Sequence, residues 1–323
     1  MSSAIASVPV RDRLSWSRPS SGSLPQRPGV NTTSAVVPPA SGKSGGVHLS
    51  HSQCRTYAGC SLQWFLSRRY PPEFVPANLL FGASFHAAMD AYYQARLEGR
   101  DAGLDDLLAA FSTHWAEELA GVHGHGSVPV KFSAKDESED NLRALAERMI
   151  SAFLEYQKGR TSQVIAIEEG FRIDLDADLP SLVGKIDLIE LETGSDGTRR
   201  LCLTDFKTAA KKPTLDDLGS DQAQLYGRAA VGMGLVNAFQ LPLALRYLVV
   251  TKTKNPEVHV LEVENSPRDW RRLTEKIRQC WRGMRAQVVF PSPSWRCSGC
   301  GHARLCGAWP VLEAVPTPLA ASA

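Results

Sequence analysis

Two short stretches hold residue types suited to metal-assisted chemistry: Gly184-Lys185-Ile186-Asp187 and Thr204-Asp205-Phe206-Lys207-Thr208. In each, charged residues interrupt an apolar run, formed by Leu182, Val183, Ile186, Leu188 and Ile189 in the first and by Leu201, Leu203 and Phe206 in the second. Runs of this kind separated by turn residues read as adjacent strands. Side chains alternate faces along a strand, so Asp205 and Lys207 share a side. Burying a carboxylate with an ammonium is costly unless a metal or a phosphate compensates. Two carboxylates beside a lysine suit a divalent cation that activates water against a phosphodiester. The alternative is a pair of half-buried strands whose charges lie at a solvated rim, and these residues alone leave both readings open.

Cys297-x-x-Cys300-x5-Cys306 is the second signal, with three thiols inside ten residues amid Ser, Gly and Pro. Core packing does not explain such a set. The N-terminus shows no hydrophobic secretory region, which makes a disulfide scaffold a poor reading. Thiolates at this spacing ligate zinc or an iron–sulfur cluster. Three ligands are one short, and Cys54 and Cys60 are the options for a fourth. Cys202 and Cys280 sit in patterns that read as strand and helix packing. Free or zinc-bound cysteines in a terminal knuckle remain the alternative.

The elements that must position these groups follow from periodicity. The chain has 323 residues, of which 43% are hydrophobic, enough for one large domain or one domain plus appendages. Helical spacing predicts helices over 50–66, 79–97, 102–120 and about 141–158. His123 and His125 fall in a polar stretch between two of these and read as a surface turn. Strands are predicted over 163–176, 182–191 and 201–207, with Gly194-Ser195-Asp196-Gly197 as the turn joining the last two. A helix over 221–236 and strands over 243–253 and 258–263 come next. Ser266-Pro267 then opens a final helix with Trp270, Leu273, Ile277, Trp281 and Met284 on one face. Residues 1–46 are rich in Ser, Pro and Gly and are expected to be a disordered tail. Gly42-Lys43-Ser44 within it is no phosphate-binding loop, because Val37 stands where that loop needs glycine. The organisation read from the chain is a tail (1–46), a helical lobe (47–160), a sheet-bearing core (161–265), a basic helix with the cysteine segment (266–310) and a short tail (311–323).

Net charge is only +2, so bulk charge announces no nucleic-acid partner. From Arg268 to Arg304, however, nine basic residues face only Asp269 and Glu275. That excess suits phosphates, and it equally suits a solvated helix face. No apolar run is long enough to cross a membrane.

Asp187 followed by Asp205-x-Lys207 resembles the D…(D/E)-x-K signature of the PD-(D/E)xK nuclease superfamily. Gly184-x-x-Asp187 and Asp205-Phe206-Lys207-Thr208 are similar in particular to its RecB-like branch, in which G-x-x-D and D-[YF]-K-T recur. Gly82-x-x-x-His86 resembles that branch's helical His motif, and Gln222-x-x-x-Tyr226 its Q-x-x-x-Y motif. Leu49-Ser50-x-Ser52 with Tyr57-x-x-Cys60 is similar to the opening of iron–sulfur members, the AddB-type and CRISPR-associated RecB-like nucleases. Glu169, with Glu168 as rival, matches an acidic position on the family's first core strand. Ser61 departs from the family, which has proline after the cysteine, and the long N-terminal tail has no counterpart there.

The resemblance implies an α/β, restriction-endonuclease-like fold: a central mixed sheet flanked by helices. It implies one or two Mg²⁺ or Mn²⁺ ions held by Asp187, Asp205, His86 and the Phe206 carbonyl. Lys207 would position water or stabilise charge on phosphorus, and Gln222 and Tyr226 would orient the site. It implies a [4Fe–4S] cluster on Cys60, Cys297, Cys300 and Cys306, with zinc the lesser alternative. The expected activity is DNA hydrolysis, as a single-strand exonuclease in recombination or repair. A helicase or recombination partner and a cytoplasmic, nucleoid-associated location go with it. Trp270, Trp281 and Trp295 are candidate stacking platforms. The rival function is a catalytically idle DNA-binding scaffold.

Overall fold

The computed structural model describes residues 47–121, 128–132 and 138–309. The expectations for the N-terminal tail, for His123 and His125 and for residues 311–323 lie outside the described residues. The chain enters through β1 (His48–Leu49), α1 (His51–Gly59) and α2 (Ser61–Ser67). β2 (Val75–Pro76), α3 (Ala77–Leu97), α4 (Leu104–Leu119), β3 (Val130–Lys131) and α5 (Glu139–Gln157) follow. Three long strands come next, β4 (Gln163–Ile173), β5 (Ser181–Thr193) and β6 (Arg199–Ala209). After α6 (Leu215–Leu218), α7 (Asp221–Gly232) and α8 (Leu235–Phe239), the sheet is completed by β7 (Leu243–Thr251) and β8 (Val258–Val263). The chain closes through α9 (Pro267–Arg285), a 3₁₀ turn at Trp295–Gly299 and α10 (Ala303–Gly307).

Two predicted helices are broken, one at a cysteine and one at glycine. The helix expected over 50–66 divides at Cys60, whose backbone is extended (φ −163°, ψ 105°). Cys60 donates its amide to the Thr56 carbonyl, ending α1, and its sulfur accepts the Gln63 amide at 3.4 Å, starting α2. The helix expected over 221–236 stops at Gly232 and restarts after Gly234, whose φ of 74° only glycine adopts freely. In both places the apolar period continues through the break, but glycine weakens a helix interior by about 1 kcal/mol. The expected caps do form: the Ser266 hydroxyl accepts the Asp269 amide, with Pro267 in the first turn.

The main sheet runs β1-β5-β6-β7-β8, with β4 also paired to β5. β1 is parallel to β5 and β6 to β7, while the β4–β5, β5–β6 and β7–β8 pairs are antiparallel. This is a central mixed sheet with helices on both faces, as the sequence predicted. Alternation splits the core in two. Leu201, Leu203, Leu245 and Val249 face α1, α2, α7 and α9, joined by Trp64, Ala229 and Ile277. Leu188, Phe206, Leu248 and Val250 face α3, α4 and α5, joined by Phe85, Trp115 and Phe153. A charged layer is also buried in the sheet. Arg246, 3% exposed, bonds Glu190, Glu192 and the Thr204 hydroxyl, and Ser162 donates a further hydrogen bond to Glu190.

Candidate active site

The β5–β6 ladder ends at the pair Leu188–Thr204, one residue short of both Asp187 and Asp205. There the two strands part, and the Asp187 carboxylate replaces a backbone carbonyl. Its Oδ2 accepts the Phe206 amide at 2.8 Å. Gly184 has its own role three residues earlier. A Cβ there would meet the Phe171 ring at 2.5 Å, so the glycine lets that ring lie against β5. Phe171 in turn packs edge-on against Tyr226, with ring centroids 6.3 Å apart.

Asp205 is 1% exposed, and three side chains converge on it. The Lys207 ammonium lies 2.6 Å from its Oδ2, as an ion pair without hydrogen-bond alignment. The Gln222 amide donates to its Oδ1 at 2.5 Å, and the Tyr226 hydroxyl donates to the same oxygen at 3.0 Å. Gln222 also accepts from Lys207 at 3.1 Å through its carbonyl oxygen. Residues 222 and 226 reach one point because i and i+4 share a helix face. Tyr226 sits 3.5 Å from Asp187 Oδ1 as well, so one hydroxyl spans both carboxylates.

Electrostatics follow from this crowding. Burial, then the Asp205 charge, pushes Asp187 up from the usual carboxylate range to about 8. Burial first, with both carboxylates adding, drives the Tyr226 phenol far above its ordinary value and keeps it a donor. His86, on α3, stands 3.8 Å from Asp187 Oδ2 through Nδ1 and edge-on to the Phe206 ring. Burial lowers its pKa, opposed by the Asp205 charge and by the Phe206 carbonyl. A neutral imidazole, a carbonyl and two carboxylates suit a hard divalent cation. Among the described residues no three His, Cys, Asp or Glu side chains close into a cage. Asp205 is instead engaged by Lys207, Gln222 and Tyr226. Glu168 pairs with Lys185 at 3.0 Å, has a left-handed backbone (φ 47°), and contributes to the field at His86. Glu169 is exposed on β4, and partial desolvation of its carboxyl raises its pKa.

The structure adds two residues beside these. His51, the first residue of α1, feels the charges of Asp221, Lys207 and Asp205, and burial lowers its pKa to about 4. Glu118, at the end of α4, lines with His86 and Lys207 a cleft of about 410 Å³. No local signal ties His51 to Lys207. Glu118 had one faint sign, a carboxylate falling on the apolar face with Phe111 and Trp115.

Cys60, Cys297, Cys300 and Cys306 line a second cavity, of about 150 Å³, between the end of α1 and the C-terminal segment. Cys54 is not among its lining residues. It is buried against Cys280, whose sulfur lies 3.7 Å from the Cys54 carbonyl. Burial, then the neighbouring cysteines, raises the Cys306 thiol, and burial raises Cys300. His302 also lines this cavity, 5% exposed, with no hydrogen-bond partner for its Nδ1.

The family model described as the PD-(D/E)XK nuclease superfamily matches residues 48–307. Among solved structures, a candidate exonuclease from Eubacterium rectale is similar at 13% identity and a TM-score of 0.44, covering 80% of this chain and 87% of that one. The protein SSO0001 is similar at 12% identity and a TM-score of 0.31, covering 80% and 95% respectively. No curated protein matches in sequence.

Proposed function

The chain belongs to the PD-(D/E)XK nuclease superfamily, whose members hydrolyse phosphodiesters, and from that premise we propose a metal-dependent DNA exonuclease acting on single strands. The observation that carries the reading is the convergence of the two carboxylates on one tyrosine hydroxyl, Asp187 and Asp205 through Oδ1, with the Lys207 ammonium on the other oxygen of Asp205. Asp187, Asp205, His86 and the Phe206 carbonyl would hold Mg²⁺ or Mn²⁺. Such a cation supplies a Lewis acid for the phosphoryl oxygen and lowers the pKa of a bound water. Lys207 presents fixed positive charge where negative charge develops on phosphorus. Gln222 bonds both Lys207 and Asp205, which locks their spacing. Tyr226 holds the shared oxygen of Asp205 and keeps the carboxylate from rotating.

The second cavity supports a metal cofactor joining the chain ends. Four thiols line it, one near the start of the domain and three near its end. Zinc needs four ligands about 2.1–2.3 Å from one point. Four cysteines lining a cavity of about 150 Å³ fit an iron–sulfur cluster, which is the cofactor we propose, with zinc the lesser alternative. Recombination, repair or related DNA processing is the setting we propose.

The test is incubation with Mg²⁺ or Mn²⁺ and single-stranded DNA labelled at the 5′ or the 3′ end. Wild type should release short labelled products, and Lys207→Ala should lose about 10²–10³-fold in rate. No cleavage by wild type, or equal cleavage by the variant, would overturn the reading. Brown colour and iron content after anaerobic purification test the cofactor separately, and stoichiometric zinc in a colourless protein would refute the cluster.

A further inference from the structure

We propose that Trp295, with Phe290 and Arg296, forms a stacking platform for a nucleic-acid single strand, set beside the cysteine cavity and leading along α9 to the catalytic cleft. The inference deepens the nuclease reading and rests on it.

Of the three tryptophans with a candidate stacking role, two are occupied. Trp281 is buried, and Trp270 is partly buried in the core with the Arg228 guanidinium over its ring at 4.6 Å. Trp295 is 83% exposed, the highest value among the large hydrophobic residues described as exposed. Phe290 is 51% exposed and Val288 49%. Three exposed large hydrophobic residues within eight positions of the chain are the sequence-local concentration of apolar surface from which an interaction site is built.

The backbone beneath the patch is fixed. Tyr57 donates its hydroxyl proton to the Val288 carbonyl at 2.7 Å. The Phe290 amide donates to Ser61 Oγ at 2.9 Å, and the Phe290 carbonyl accepts the Leu62 amide at 3.1 Å. The Phe290 ring is therefore presented on a fixed backbone, and the Trp295 carbonyl five residues on accepts the Ser298 hydroxyl at 2.9 Å.

Charge decides the kind of partner. From Lys276 to Trp309 the chain contains no acidic residue. Lys276, Arg278 and Arg304 are paired with carboxylates from other segments. Arg285 and Arg296 make no ion pair among the described residues, and the Arg296 guanidinium lies 5.6 Å from the Trp295 ring centroid. Exposed aromatics among unneutralised arginines fit bases and phosphates together, which is how single strands are held without sequence preference. An acidic or apolar protein partner would use one of these features and leave the other idle.

The path to the site follows from α9. Lys276 bonds Asp221 at 2.6 Å, and Asp221 precedes Gln222 of the catalytic cleft. From residue 276 to Arg285 the helix advances about 14 Å at 1.5 Å per residue. A stacked strand covers that in about four nucleotides at ~3.4 Å each. The α9 stretch alone spans about four stacked nucleotides, so a strand reaching from the site to Trp295 must be longer than that.

The experiment measures binding of fluorescent oligothymidylates of about 4 and about 12 nucleotides by polarisation in EDTA, with cleavage by wild type plus Mg²⁺ assayed in parallel. Wild type should bind the longer strand much more tightly than the shorter. Trp295→Ala should lose roughly 5- to 150-fold on the longer strand, the worth of one base–aromatic stack, and Trp295→Phe should recover most of it. Melting temperature of both variants should match wild type, because the ring is exposed. Equal binding of the longer strand by Trp295→Ala and wild type overturns the platform even if wild type cleaves DNA. A variant that changes only the oligomeric state assigns the patch to a second copy and overturns it too. If Trp295-dependent binding is seen but wild type cleaves nothing, the nuclease reading fails and the platform stands.

Discussion

Proton–metal competition at Asp187 sets a measurable pH dependence. Its carboxyl is held up at about 8, by burial and by the charge of Asp205. A cation must bind the ionised form, so at pH 6 binding has to expel a proton held two units too tightly. The carboxyl is about half ionised at pH 8 and about a hundredth ionised at pH 6, so cation affinity should weaken about fiftyfold between them. An ordinary carboxylate site ionises near 4 and would change little over this range. The metal-free protein should show the opposite trend. The unfolded carboxyl ionises near 4 and the folded one near 8, so the stability gained by keeping the proton is fully present below pH 4 and is lost as pH rises through 8. The assay is the melting temperature against Mg²⁺ concentration at pH 6, 7 and 8, in wild type and Asp187→Asn. Wild type should need about fiftyfold more Mg²⁺ at pH 6 than at pH 8, and the variant should show no such slope. A pH-independent affinity in wild type, or the same slope in Asp187→Asn, would refute the assignment of the proton to Asp187.

Further substitutions probe the surroundings of the site. Tyr226→Phe removes the hydroxyl shared by Asp205 and Asp187 while leaving Gln222 in place. Its kcat should fall by about tenfold or more, the worth of a hydrogen bond to a charged group, in a single-turnover assay. Arg246→Ala leaves Glu190 buried without its cation and should cost about 3–5 kcal/mol in urea denaturation, whereas Arg246→Met with Glu190→Leu should recover most of that. Gly184→Ala drives a Cβ into the Phe171 ring and should destabilise by about 1–3 kcal/mol, with activity falling as Phe171 shifts Tyr226.

The strands and the spacing of their charges were legible because both are local. Alternation placed Asp205 and Lys207 on one side, and the i, i+4 relation placed Gln222 with Tyr226. What escaped the sequence depends on chain segments far apart. His51 is drawn to Lys207 and Asp221 by the packing of α1 against α7, and Glu118 enters the cleft only when α3, α4 and β6 meet there. β1 is two residues long and exists because β5 offers it an open edge at Ser181 and Leu182. The two misplaced helix boundaries share one cause. Apolar spacing was given more weight than the local breaks, yet the extended backbone at Cys60 sets that residue at the second cavity, and α7 ends at Gly232 against Ile173 of β4, before the left-handed Gly234. The choice between Cys54 and Cys60 could be made from resemblance alone; in the structure it follows from Cys54 facing Cys280 inside the core.

The Asp187–Asp205 pair owes its closeness to a change of partner in the sheet. Had β5 and β6 stayed paired past Leu188, residue 187 would have spent its position on the ladder and its carboxylate would have had no amide to accept. Because pairing ends there, the side chain takes over the backbone's role and is pulled onto the Phe206 amide, beside Asp205. Two carboxylates this close and this buried repel each other, and the fold relieves the repulsion in three ways at once. Lys207 supplies a positive charge to Asp205, Gln222 and Tyr226 supply oriented dipoles, and Asp187 keeps its proton. Each device is reversible when a cation arrives, since the ion can replace the proton on Asp187 while Lys207 turns toward a phosphate. The groups that make the metal-free site tolerable are thus the same ones that the proposed hydrolysis would use.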